Sequence, residues 1–223
     1  MLPSQYLEVQ GYPSLQRLLQ AQVDMQFADL RTLLCLPIPQ AGLEAGCNFA
    51  CAAVLFNMIA GASVCFYETS ENAVVDRSSR GMRFKRVLEK FYPWHKEPFG
   101  KDQCVLTLYD LARNPLTHSL GLGAVSESAT GKQVALRKWP INPSQIDELE
   151  GAIARPGWLP PTVDHPTSDY GAIDLVLSVP TLYWGVHRML HALFTDSDQA
   201  SKADALAKSI GHQWDRYAPG ESV

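Results

Sequence analysis

The 223-residue chain reads as an all-α helical bundle in a single domain, residues 1–223, with a core over about 14–195. Three observations predict this. Apolar residues recur at three- and four-residue spacing through each long patterned stretch. Extended-looking sequence is confined to about 125–139, where it predicts a small β-hairpin. Connections between patterned stretches are mostly short, as bundles require. Helices beginning near Ser14, Gly42, Cys104 and Tyr170 are expected to form the core.

Residues 1–13 form an irregular lead-in with Pro3, Gly11 and Pro13. Ser14 then caps a helix to about Cys35, with Leu15, Leu18, Leu19, Val23, Phe27, Leu30, Leu33 and Leu34 as its apolar stripe. Pro37 and Pro39 end it. Gly42 to Glu68 is the second helix, and it carries no charge from Ala45 to Tyr67. That length would just span a bilayer. Asn48, Asn57, Gly61 and Ser63 interrupt it, no basic residue flanks it directly, and the mean hydropathy is −0.09, so the reading is a helix buried on most sides by close neighbours. Asn48 and Asn57 then read as satisfied core amides.

Arg77 to Tyr92 predicts a short basic helix interrupted by Gly81. Arg80, Arg83 and Arg86 are its candidate phosphate contacts, weighed against a merely solvated face. Phe84, Val87, Leu88 and Phe91 are its core side. A turn-rich connector, Pro93 to Gly100, leads to Cys104, where Val105, Leu108, Leu111 and Ala112 set another apolar face. After Gly121 and Gly123, Gln133 to Arg137 is the better strand of the hairpin. A helix over about 145–154 and a proline-rich loop over 155–166 follow. Tyr170 to Thr195 reads as one long helix with a kink at Pro180, and 199–217 as a last helix.

Composition narrows the function classes. A net charge of −4 and a pI near 5.8 argue against a protein that coats nucleic acid non-specifically, so an RNA contact needs a local patch. Five cysteines, Cys35, Cys47, Cys51, Cys65 and Cys104, form no CxxC pair and read as reduced core residues of a cytoplasmic protein. The N-terminus lacks the basic and apolar regions of a secretory signal. His187 and His191 have the i, i+4 spacing of two metal ligands, but no Glu lies between them and no third ligand is evident, so they read as surface or interface histidines and neither metal nor cofactor is expected.

The chemistry concentrates in Arg113, Asn114, Pro115, Leu116, Thr117 and His118. Pro115 has no amide hydrogen and disfavours the α conformation at Asn114, which predicts a helix break there, with Asn114 capping a new helix. A free helix N-terminus beside Arg113 would attract an anion. Asp110, Asn114 and His118 fall at i, i+4 and i+8, so Asp110 could orient the His118 imidazole.

Arg113, a polar Asn114, three residues and His118 form a motif that resembles that of the HEPN superfamily (higher eukaryotes and prokaryotes nucleotide-binding), on a late core helix of an all-helical protein. The resemblance implies a metal-independent endoribonuclease acting as a homodimer, with RNA as substrate and a toxin or phage-defence role with a cognate antitoxin. It assigns Arg113 to the scissile phosphate, His118 to proton transfer and Asn114 to positioning them, with Asp110, Thr117 and the basic helix on the substrate. Two readings of other classes stay open: a non-catalytic helical module that binds a nucleotide or protein, and a membrane-associated protein anchored through residues 42–68.

Overall fold

A computed structural model describes residues 15–36, 47–66, 80–118, 134–137, 161–166 and 174–196. The expected helices at 145–154 and 199–217, the lead-in, and residues 125–133 lie outside the described residues.

Helix α1 spans Leu15–Cys35 and α2 spans Asn48–Phe66. From Val23 onward the predicted stripe of α1 faces inward: Phe27, Leu30 and Leu34 are buried, with Val23 and Leu33 partly so. The uncharged α2 buries Cys51, Ala52, Leu55, Phe56, Met58 and Ile59. Its opposite edge is open, however. Phe49 and Asn57 are exposed, so Asn57 is not the core amide its apolar surroundings suggest. Among the described residues no helix is long and apolar enough to cross a membrane.

Helix α3, Arg80–Phe91, packs on α2 through Phe84, whose ring lies 6.4 Å from that of Phe56. It runs without interruption through Gly81. The reason for glycine there is steric, since a Cβ would meet the Tyr109 hydroxyl at 2.6 Å.

The expected helical architecture holds for most of the described residues, which also include a small three-stranded sheet, ordered β1-β3-β2. Strand β1 is Val134–Arg137, as its pattern indicates, and the other half of the expected hairpin lies outside the described residues. β1 pairs in parallel with β3, Leu175–Ser178, about forty residues on, in the register Val134↔Leu175 to Arg137↔Ser178. Strand β2, Val163–Asp164, lies within the expected proline-rich loop and pairs antiparallel on the other side of β3. All four residues of β3 are buried, and such a continuous apolar run marks a central strand.

Over Leu175–Ser178 the expected long helix is instead this strand, which runs directly into α6, Val179–Thr195, where the helix does form. Pro180 does not kink this helix but starts it, in the first turn where its missing N–H costs nothing. Ser178 caps the turn, its Oγ accepting from the Thr181 amide at 3.3 Å. Helix α6 then packs on α1 and α2, and its Gly185 lies against the ring of Tyr92. The Tyr92 hydroxyl is shared between Thr162 Oγ1 at 2.7 Å and the Thr181 carbonyl at 3.3 Å, tying the approach to β2 to the start of α6.

Candidate functional site

The motif sits on a helix that does not break. Helix α4, Lys101–Leu106, passes into a π-helical segment, Thr107–Arg113, and then into α5, Asn114–His118. Asn114 has α-helical angles, φ −63° and ψ −49°, and its amide donates to the Tyr109 carbonyl five residues back. It is not an N-cap, and the free anion-binding terminus expected at Asn114 is absent. The physical reason lies in Pro115. Its ring clashes in an α-helix with the carbonyl four residues earlier, that of Leu111, which lies inside the segment wound more widely. The chain absorbs the proline by widening one turn instead of ending the helix.

Leu108, Leu111 and Ala112 anchor the π segment in the core. Tyr109 stands at its edge, tilted against Phe84 at 5.3 Å between ring centroids. Two cations use this ring: Lys85 Nζ lies 4.7 Å from its centroid and the Arg113 guanidinium carbon 5.6 Å. Arg113 Nη1 also donates to Asn114 Oδ1 at 2.9 Å. Neighbouring side chains thus fix the guanidinium from two directions while the residue stays half-exposed.

The Asp110 carboxylate faces Lys85, and the His118 imidazole it is expected to orient lies outside the described residues. Asp110 Oδ2 lies 3.3 Å from Lys85 Nζ, a part-exposed ion pair of the kind worth about 0–1 kcal/mol. The side chains of Thr117 and His118 lie outside the described residues, although the backbone of both is helical. The side chain of Arg80 also lies outside them.

The expected basic face divides. Arg86 is exposed, but Arg83 is only 5% exposed, on the same side as Phe84 and Val87, with its Nε buried and without a hydrogen-bond partner. Arg83 is therefore not part of a solvated phosphate-contacting stripe. Its i−1 and i+1 neighbours Met82 and Phe84 alternate out and in, and the 100° step places position 83 on the inner side.

Tyr109 and Lys85 were missed as site residues by sequence reasoning. Tyr109 had a signal, lying four residues before Arg113 on one helix face, where an aromatic ring and a guanidinium meet. Lys85 is legible as one of the basic residues of its helix, but its approach to the ring depends on how α3 crosses the π segment.

Among the described residues Cys35, Cys47, Cys51 and Cys104 are free thiols, and no group of three His, Cys, Asp or Glu could hold a metal ion. Burial, reinforced by Glu97, pushes the Cys104 thiol up to about 12, so it is not a thiolate nucleophile near neutrality. Burial likewise raises Tyr92 far above its ordinary 10.0, although its bond to Thr162 acts the other way.

These shifts predict alkaline sensitivity. Both groups are neutral in the fold and ionise more readily once unfolded, from about pH 9 for the thiol and pH 10 for the phenol. Their contribution is complete below pH 9 and is lost as pH rises toward their folded values. The urea midpoint is expected to fall progressively above pH 9, and Tyr92→Phe to shallow that decline. An alkaline limb unchanged in Tyr92→Phe would refute the assignment to Tyr92.

Fold and site together define a mostly helical protein with a small mixed sheet and an arginine–asparagine pair at the end of a π-helical turn. No family model, curated protein or solved structure matches the chain.

Proposed function

We propose that this protein is a metal-independent endoribonuclease of the HEPN type that acts in the cytoplasm as a homodimer. One observation carries the reading: Arg113 is held by Asn114 and Tyr109 at the end of a π segment, on the same unbroken helix as His118. π-Helical turns concentrate at functional sites because their cost must be offset by what they position. Arg113 neutralises the charge that builds on the scissile phosphate. His118 takes the proton of the RNA 2′-hydroxyl as its oxygen attacks phosphorus. The P–O5′ bond breaks, and the partner subunit's imidazole, initially protonated, returns a proton to the leaving oxygen. The RNA itself supplies the nucleophile. A toxin or defence role with a cognate antitoxin follows from the same resemblance.

The test is incubation of the purified chain with single-stranded RNA in EDTA. Cleavage to fragments ending in 2′,3′-cyclic phosphate is expected. Products with 3′-hydroxyl ends would overturn the mechanism.

A second reading has its own support: a module that binds a nucleotide or protein at this turn without turnover. Arg113 already spends one N–H on Asn114, and Asp110 is paired with Lys85. It predicts retained RNA or nucleotide with no product, and weaker retention in Arg113→Ala.

A further inference from the structure

Away from the motif, α1 and α6 enclose between them a cavity of about 270 Å³. Its walls follow from helical spacing: Gln20, Asp24 and Phe27 from successive turns of α1 face His187, His191 and Phe194 from successive turns of α6. Phe27 is buried and gives an apolar floor. The His187 imidazole meets the Phe27 ring edge-on at 4.5 Å and lies parallel to Tyr183, 11° between planes and 6.3 Å between centroids. Rings on two sides therefore set its orientation. Gln20 and His187 are half-buried, and Asp24 and His191 are exposed at the mouth.

We propose that this cavity binds one nucleobase carrying an exocyclic amino group, of the adenine or cytosine type. Flat aromatic rings suit the walls, since Phe27 and Phe194 offer apolar faces and edges for stacking. The hydrogen-bonding groups narrow the choice. The Asp24 side chain at the mouth presents carboxyl oxygens as acceptors, which a donating exocyclic amine matches. Gln20 and the two imidazoles each offer a donor and an acceptor, matching the ring nitrogens of such a base. Size also selects, because the cavity lies just below the roughly 300–1,000 Å³ typical of drug-sized ligands and admits one ring system. The base could belong to a free nucleoside or to an unstacked residue of a single strand. The inference stands independently of the ribonuclease reading.

Calorimetric titration of the full chain with adenosine, inosine and a short 2′-O-methyl oligoadenylate, which cannot be cleaved through its 2′ position, tests it. Inosine replaces the amine with a carbonyl. Adenosine is expected to bind at least about tenfold more tightly than inosine, the loss typical of an unmade hydrogen bond to a charged group. Asp24→Ala, at an exposed position, should remove that preference while circular dichroism stays unchanged. Tighter binding of the oligoadenylate, also lost in Asp24→Ala, identifies a strand as the source; adenosine alone identifies a free nucleoside. Equal affinity for adenosine and inosine, binding indifferent to Asp24→Ala, or no binding of any probe at millimolar concentration would each overturn the proposal.

Discussion

Gly185→Ala is expected to lower the free energy of unfolding by roughly 2–3 kcal/mol, against the rule that alanine stabilises helices. On propensity alone the change would gain about 1 kcal/mol in the middle of α6. A Cβ at position 185, however, would fall on Cζ, Cε2 and the hydroxyl of Tyr92. That ring cannot swing away cheaply. Tyr92 is only 4% exposed, its hydroxyl is held by Thr162 and the Thr181 carbonyl, and Trp94 packs against it at 4.5 Å. Gly61→Ala on α2 is the control, because a Cβ there meets nothing within 4 Å and should simply gain the helix preference. Urea denaturation of both variants decides the matter. If Gly185→Ala matches Gly61→Ala in raising the midpoint, the close packing of α6 on Tyr92 is wrong.

On the proposed ribonuclease reading, Arg113→Ala is expected to reduce RNA cleavage by about 10²–10³, the loss seen when one group stabilising developing charge is removed. His118→Ala should be comparably silent, since proton transfer alone accounts for about 10²–10⁴. Arg113→Lys should recover little, because an ammonium lacks the planar fork that grips two phosphate oxygens. Stability should hardly move. Arg113 is half-exposed, and its hydrogen bond to Asn114 and its contact with the Tyr109 ring both stay within its own helix. That separation is informative: lost activity at unchanged melting temperature marks chemistry, whereas a parallel loss marks a structural arginine. Wild-type cleavage by either alanine variant would remove the motif from the mechanism.

Much of the helical scaffold is legible in the sequence because a helix is a local object. The 3.6-residue rhythm of Phe27, Leu30 and Leu34, or of Phe84, Val87 and Leu88, fixes both the helix and its inner face with no knowledge of the neighbour. The strand at Val134–Arg137 was legible for the same reason, through its short apolar run bounded by turn residues. Its partner was not. Leu175 to Ser178 could equally open a helix, and only the pairing with a strand about forty residues earlier decides between them.

The candidate site divides along the same line. Sequence alone brought Arg113, Asn114 and His118 onto one short stretch and identified Pro115 as the obstacle within it. Whether that obstacle breaks the chain or widens a turn depends on Leu108, Leu111 and Ala112 before the proline and Leu116 after it, whose packing on the core keeps both sides in one helix. Tertiary packing likewise turned Arg83 inward, left Asn57 in solvent, brought Lys85 over Tyr109 and set two histidines of α6 opposite Asp24 of α1. Periodicity tells a residue which side of its own helix it occupies; what stands on that side is settled by long-range contacts, whose energies no local window contains.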